Sequence, residues 1–375
     1  MATFNSSRLV LARQRRGLTK TALHNLTGIP QRSLTAYEAG DHQPGPLAVV
    51  KFVNALGFPE EFFYADDLEN IPLSATSFRA LSKMTAQQQH QAISAGTLAT
   101  LLADWIDERF DLPAPDIPQL REGDPETAAE VVRGEWGLGE RAIRNMVHLL
   151  EARGIRVFSL VEECHEVDAF STWRNGVPYV FLNTMKSAER SRMDAAHELG
   201  HLVMHWHHDV PRGREAEDEA KAFASAFLMP EGSVKANAPY GGNLQQITRA
   251  KRHWDVATTA LVYRMHKVGM LSDWEYRSLF KQMSKRGDKT SENAGLEERE
   301  TSQLLPKVFK ALRDEGITKA DVARDLALPV EELNKLVFGL ILTQVDGGEV
   351  ETTPATGSLR LATRDGSPIA PTPPS

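Results

Sequence analysis

The sequence predicts a fold that is mainly α with a small β-sheet (α+β), and three observations lead to it. Apolar residues recur at spacings of three and four along most of the chain, which is the period of an amphipathic helix. Alternating, strand-like patterns are confined to residues 154–183. The chain has 375 residues, more than the ~250 to 300 at which a single core stops growing, so several domains are expected.

Composition excludes several classes of protein. No apolar run approaches the ~18 residues that a membrane span needs. The segment Met1–Arg16 lacks the unbroken apolar core of a signal peptide, so we expect a cytoplasmic protein without membrane association. The single cysteine, Cys164, excludes a disulfide framework and a cysteine-based metal site. Any bound metal must therefore be held by histidines and carboxylates.

Charge is unevenly distributed along the chain. The net charge is −7, which argues against nucleic-acid binding over the whole surface. The first carboxylate is Glu38, however, and six basic residues precede it: Arg8, Arg13, Arg15, Arg16, Lys20 and Arg32. A nucleic-acid contact is therefore expected in this basic N-terminal part.

Linker-like composition divides the chain into segments. An acidic stretch with Pro and Ser follows residue 64, and a polar stretch covers residues 284–295. Residues 346–375 contain five Pro and four Gly, a composition that favours disorder. The predicted units are residues 1–66, 75–283 and 296–345, followed by a disordered tail, 346–375.

Capping residues predict two short helices in this basic part of the chain. Thr19 is an expected N-cap, Gly28 permits a tight turn, Pro30 begins a second helix and Gly40 ends it. Two short helices joined in this way are typical of a helix-turn-helix.

This spacing resembles the XRE (Cro/repressor-like) helix-turn-helix family, which implies a five-helix unit over residues 7–64 that binds double-stranded operator DNA. In that family the second short helix enters the major groove, so Gln31, Arg32, Ser33 and Thr35 are expected at base edges. Arg32 suits guanine and Gln31 suits adenine. A helix-turn-helix that contacts only protein is the alternative.

The resemblance assigns other residues to supporting roles. Lys20 and Thr21, at a helix N-terminus, are expected to contact phosphate. Arg13 and Glu38 are expected to form an internal ion pair, which removes that arginine from the DNA-binding set.

The middle segment begins with helices and continues with strands. Helical spacing covers residues 78–106, stops at the Pro-rich residues 111–120 and resumes over residues 125–153. Three strands are predicted in residues 154–161, 167–173 and 177–183. Asn175-Gly176 predicts a hairpin between the last two strands.

A long helix from about Ser187 contains the motif HELGH. His197 and His201 are four residues apart, so both imidazoles face one side of the helix and can bind one ion, with Glu198 beside them. The arrangement is typical of metal-assisted peptide hydrolysis, in which Glu198 takes the proton of an activated water. A chance match of five residues is the alternative.

Three sources of a third ligand compete. His205 lies ~12 Å along the helix from His197, too far to share an ion. His207 stands where a metzincin has its third histidine, but Met204 replaces the Gly that turns the chain. The helix after residue 213 offers carboxylates that could complete the site: Glu215, Glu217, Asp218 and Glu219.

These residues resemble the ImmA/IrrE-type zinc metallopeptidases over residues 141–270. The resemblance implies a gluzincin-like fold with zinc held by His197, His201 and Glu217, and with Glu198 as catalytic base. Lys221 occupies the position where the family has Asn or Asp, which keeps Glu219 open as an alternative ligand. His205, His207 and His208 are expected to flank the helix end, not to bind metal.

Two further expectations concern the sheet and the last helical unit. The resemblance implies that an extended substrate lies along a sheet edge, for which residues 177–183 are the candidate; an ordinary half-buried strand is the alternative. The unit at residues 296–345 has its own helix-turn-helix rhythm, but Asp321, Asp325, Glu331 and Glu332 make its reading face acidic. It is therefore expected to be a packing or dimer module, since an acidic face repels phosphate.

The sequence thus predicts a DNA-binding domain fused to a zinc metallo-endopeptidase. The resemblance implies a regulator that cleaves a transcriptional repressor or antitoxin to control stress or mobile-element genes. A homodimer is a candidate assembly of this regulator. The alternatives are a regulator whose peptidase-like domain only senses or dimerises, and a general degradative peptidase.

Overall fold

A computed structural model describes residues 3–69, 71, 85–120, 123–160, 169–205, 213–286 and 299–341. Within these residues the protein is mainly α-helical with one three-stranded sheet, which confirms the predicted fold class. Cys164, His207, His208 and the predicted disordered tail lie outside the described residues. No helix in the described part of the chain is both long enough and apolar enough to cross a membrane.

The N-terminal unit consists of α1 (Ser6–Arg15), α2 (Lys20–Thr27), α3 (Gln31–Ala39), α4 (Pro46–Leu56) and a 3-10 helix (Glu60–Tyr64). The predicted caps are confirmed: Thr19 accepts a hydrogen bond from the backbone N–H of Ala22, and Gly28 ends α2 with φ of +68°. The fifth predicted helix is a short 3-10 helix. Its Phe62 and Phe63 pack into the core of the unit.

The middle unit starts with α5 (Ala86–Asp107), α6 (Pro125–Glu135) and α7 (Met146–Ala152). The helical region predicted for residues 125–153 consists of two helices. The break contains Gly137 and Gly139 with φ of +65° and +52°, a backbone region that does not continue a right-handed helix.

The sheet consists of β1 (Arg156–Ser159), β2 (Ala169–Arg174) and β3 (Val177–Leu182). The predicted hairpin is confirmed, because β2 and β3 are antiparallel and Asn175 and Gly176 both have positive φ. The strand order is β1-β3-β2, with β1 parallel to β3. The prediction that β3 is a substrate-binding edge is therefore wrong, since β3 has a strand on each side.

The helix α8 (Ala188–Met204) lies against the sheet, and α9 (Arg214–Leu228) packs against α8 and α6. Ser187 caps α8 by accepting a hydrogen bond from the N–H of Arg190, which confirms the predicted start of this helix near Ser187. Gly200 favours the close contact between the helices, because a Cβ there would lie 3.0 Å from the ring of Phe223 and 3.3 Å from the Cα of Ala220. The Gly of HELGH therefore lets the second helix approach the two histidines.

Five helical segments complete the middle unit: α10 (Glu231–Asn237), α11 (Leu244–Ala250), a 3-10 helix (Lys251–His253), α12 (Thr258–Lys267) and α13 (Asp273–Arg286). Two buried arginines fix the end of α9 through its carbonyls. Arg133 donates to the carbonyl of Phe227, and Arg264 donates to that of Met229 at 2.8 Å. These bonds satisfy carbonyl groups that a helix end leaves without a partner in the helix.

The C-terminal unit contains α14 (Leu304–Asp314), α15 (Lys319–Asp325) and α16 (Val330–Val337). It contacts the middle unit through Glu151, which accepts from the hydroxyl of Ser302 and from the backbone N–H of Gln303. It contacts the N-terminal unit through Glu332, which pairs with Arg15 at the end of α1 and with Arg16 directly after it.

The placement of Glu332 corrects one detail of the sequence prediction. Glu332 is 0% exposed, so it belongs to a packing surface and not to an exposed acidic reading face. The packing role expected for this unit agrees with these contacts.

Candidate metal centre

Two helices bring three metal-binding side chains to one point. The Nε2 atoms of His197 and His201 lie 3.1 Å apart. The two carboxylate oxygens of Glu217 on α9 each lie 3.4 Å from one of these nitrogens. One atom from each residue falls within 4.8 Å of the others, so the residues that the sequence nominated converge on a common centre.

The centre is buried, with partial access at one histidine. His201 and Glu217 are buried, whereas the side chain of His197 remains 16% exposed. Two imidazole nitrogens and one carboxylate match the ligand types of catalytic zinc sites, which keep a fourth position for water or substrate. The residues present therefore fit such an ion.

The protonation of the centre reflects burial and mutual contact. Burial, together with the neighbouring His197 and His205, lowers the pKa of His201 to about 4. Burial also disfavours the charged forms of Glu217 and His197, but their hydrogen bond outweighs it, so the pKa of Glu217 falls and that of His197 rises. The carboxylate is thus ionised and ready to bind a cation.

Glu198 is held beside this group by the sheet. It is buried, and the hydroxyl of Ser171 on β2 donates a hydrogen bond to its Oε2 at 2.7 Å. The sequence did not identify Ser171. The alternating pattern of β2 places every second side chain on one face, but only the packing of α8 on that strand selects this serine.

Glu219 and His205 form a separate contact next to the centre. His205 Nε2 lies 2.8 Å from Glu219 Oε2, and its Nδ1 lies 2.9 Å from Nδ1 of His201. Glu219, the alternative ligand, therefore contacts His205 and does not belong to the group of converging ligand atoms. Lys221 lies 3.4 Å from Asp218 and is exposed.

The structure places the predicted DNA-contacting residues at the start of α2 and along α3. Gln31, Arg32, Thr35 and Thr21 are exposed, and Ser33 is half-buried. The side-chain amide of Gln31 donates to the hydroxyl of Thr21 at 3.0 Å, which fixes the start of α3 against α2.

Several of the basic residues counted in the sequence have structural partners. The predicted pair of Arg13 and Glu38 is present, with Nε–Oε1 at 2.5 Å, and Lys20 lies 3.4 Å from the same carboxylate. Arg8 and Arg15 are buried. The excess of positive charge near the N-terminus therefore mainly holds the unit together, and Arg32 is the exposed base-reading candidate.

Comparisons with known families agree with this geometry. A family model described as a helix-turn-helix domain matches residues 6–62. A family model described as an IrrE N-terminal-like domain, of the M78 peptidases, matches residues 150–266. The chain is a fusion of these two domains. A search of curated proteins found no match.

The fusion gives each group of residues its context. The IrrE N-terminal-like domain is metallopeptidase-like and contains the sheet, HELGH and the acidic helix. The helix-turn-helix domain contains α1 to α4 and indicates DNA binding. The C-terminal unit, residues 299–341, lies beyond both matches.

Proposed function

We propose that this protein is a DNA-binding regulatory zinc metallo-endopeptidase that cleaves a repressor- or antitoxin-type partner to control stress or mobile-element genes. One observation carries the proposal: His197, His201 and Glu217 converge on one point, next to Glu198, whose charge acts on His197, in a chain whose other domain is a helix-turn-helix. DNA binding brings such a peptidase to the genes on which its substrate acts.

The roles of the side chains follow from their positions. His197, His201 and Glu217 would hold zinc, which when bound would polarise the peptide carbonyl and acidify water. Glu198 accepts a proton from the attacking water and returns it to the leaving amine. Ser171 holds the carboxylate of Glu198 in one orientation, 2.7 Å from its own hydroxyl. Burial of Glu198 and His201 limits the access of bulk water.

The sheet offers a surface for an extended substrate. Among the strands that the structure describes, β2 pairs only with β3, and Ser171 of β2 contacts Glu198. A peptide that adds to the sheet beside β2 would therefore pass next to the catalytic base. We propose β2, in place of β3, as the substrate-binding edge.

Recognition of operator DNA depends on the exposed start of α3. Replacing Arg32 by Ala is expected to weaken specific DNA binding by about 1 to 3 kcal/mol, because a bidentate contact with guanine is lost. The control is Arg252→Ala, which removes an exposed arginine of the middle unit. The measurement is the operator dissociation constant at fixed salt; equal weakening in both variants would contradict base reading by Arg32.

Zinc affinity is expected to fall in acid. Burial lowers the pKa of His197, but the contacts with Glu217 and Glu198 outweigh burial and raise this pKa above its ordinary value. Below that pKa the metal must displace a proton, which weakens binding about tenfold per pH unit; above it this dependence disappears. His201, with a pKa of about 4, adds a second proton only in stronger acid. Chelator competition from about pH 8 to about pH 5 measures this, and a flat profile would contradict it.

The proposed cleavage is tested by mapping new protein N-termini in cells that produce the wild type or Glu198→Gln. We expect new termini only with the wild type, in one or a few DNA-binding regulators. Termini spread over many unrelated proteins would indicate a degradative peptidase. Identical termini in both strains, with zinc bound, would contradict catalysis.

Identical new N-termini with the wild type and with Glu198→Gln would favour a second candidate function. In it the protein is a regulator whose peptidase-like domain senses a signal or dimerises. Lys221 supports this candidate, because it stands where the resembling peptidases have Asn or Asp. Homodimerisation stays a prediction under either function.

A further inference from the structure

We propose that His205 and Glu219 form a hydrogen-bonded support that orients the metal ligand His201. The inference rests on the proposed metal centre and assigns two residues that do not belong to its ligand group. His205 ends α8 one turn after His201, and its side chain is 6% exposed. It is therefore a buried histidine placed between a ligand and a carboxylate.

The two nitrogens of His201 face different partners. Its Nε2 lies 3.1 Å from Nε2 of His197 and 3.4 Å from Glu217, so this nitrogen faces the metal position. Its Nδ1 lies 2.9 Å from Nδ1 of His205. A metal on Nε2 requires the ring hydrogen of neutral His201 to be on Nδ1, where it can donate only to a neighbour on that side.

That requirement fixes the positions of the ring hydrogens in the hydrogen-bonded series of His201, His205 and Glu219. If His201 donates from Nδ1, then Nδ1 of His205 accepts and its hydrogen is on Nε2. His205 Nε2 lies 2.8 Å from Glu219 Oε2, so this hydrogen is donated to a carboxylate. Each group then has one role, and the negative charge of Glu219 strengthens both hydrogen bonds.

The two helices that form the metal centre also form the hydrogen-bonded series of His201, His205 and Glu219. Spacing of four residues places His205 over the same face of α8 as His201. The helix α9 provides Glu217 to the ligand group and Glu219 to His205. Outer hydrogen bonds of this kind hold a ligating imidazole in one orientation and increase its basicity. Lys221 lies 3.4 Å from Asp218. The residue of α9 that contacts His205 is Glu219.

The test compares zinc dissociation constants by chelator competition in the full chain. His205→Ala is expected to bind zinc about 10- to 100-fold more weakly, and Glu219→Ala about tenfold more weakly, the usual range for such partners. His205→Asn is expected to recover most of the affinity, since its amide oxygen can accept from His201 near the place of Nδ1. The control, Asp218→Ala, removes an exposed acid of the same helix and should bind zinc as the wild type does.

The visible absorption of bound Co²⁺ separates orientation of a ligand from general loosening of the fold. We expect the band to change in His205→Ala and to return towards the wild-type band in His205→Asn. Wild-type affinity and spectrum in both His205→Ala and Glu219→Ala would overturn the inference while leaving the metal centre intact. An affinity for His205→Asn as low as that of His205→Ala would also overturn it. A wild type that binds no zinc would instead refute the proposed function.

If His205→Ala fails to fold, Glu219→Ala and Glu219→Gln still test the inference. Glu219 is partly exposed, so its replacement is expected to leave the fold intact. Glu219→Gln retains an oxygen that accepts from His205 but loses the charge. It is expected to bind zinc more tightly than Glu219→Ala and less tightly than the wild type. Equal wild-type affinity in the two Glu219 variants would contradict the support.

Discussion

Glu217→Ala is expected to lose most of the affinity for zinc. Structural zinc sites with four ligands bind with about 10 to 16 kcal/mol, so one ligand accounts for about 3 to 4 kcal/mol, or a few hundredfold in the dissociation constant. Glu217 is the only carboxylate in the group formed by the described residues. Its loss also removes the negative charge that balances the cation.

The matched control for this variant is Glu215→Ala. Glu215 lies in the first turn of the same helix but is exposed, so its removal should leave zinc affinity within about twofold, the usual effect of an exposed surface change. Chelator competition on both variants, with thermal melting to verify folding, measures the difference. Tight zinc binding by Glu217→Ala would move the carboxylate ligand elsewhere and contradict the assignment.

Glu332→Ala is expected to destabilise the contact between the helix-turn-helix domain and the C-terminal unit. Glu332 lies 2.7 Å from Arg15, which is only 3% exposed, and also pairs with Arg16. Removing the carboxylate deletes one partner of a buried ion pair, which costs about 3 to 5 kcal/mol. The Arg pair also lowers the pKa of Glu332 against the effect of burial, so the stabilisation is present at neutral pH and is lost as pH falls through the folded-state pKa.

Chemical denaturation and limited proteolysis measure this effect. The control, Glu331→Ala, removes the exposed neighbour and should change the free energy of unfolding by less than about 0.5 kcal/mol. The free energy of unfolding of Glu332→Gln should lie between those of Glu332→Ala and Glu331→Ala, because the amide oxygen of Gln still accepts a hydrogen bond from an arginine. Equal stability of Glu332→Ala and Glu331→Ala would show that this ion pair does not hold the two units together.

Local features of the fold could be predicted because they depend on neighbouring residues. The caps Thr19 and Ser187 act on N–H groups three residues later, and Asn175-Gly176 supplies the two positive φ values of its turn. The spacing of His197 and His201 likewise fixes their common helix face. Each of these signals is contained within a few residues of sequence.

Features that depend on distant segments could not be predicted. The strand order that makes β3 central results from the parallel pairing of β1, which no local pattern encodes. The burial of Glu332 depends on α1, more than 300 residues earlier. The roles of Ser171 and His205 emerge only when β2 and α9 pack against α8. Spacing alone does not select Glu217 among the four nearby acids. The family resemblance selects it, and Lys221 keeps Glu219 open as the alternative.

The most direct test of the metal centre is anomalous X-ray diffraction from crystals of the zinc-loaded full chain, recorded at the zinc absorption edge. We expect one strong peak about 2.0 to 2.2 Å from Nε2 of His197, Nε2 of His201 and a carboxylate oxygen of Glu217. His205 and Glu219 should make no bond to it. A peak bound by either of those two residues, or no peak between α8 and α9, would contradict the account.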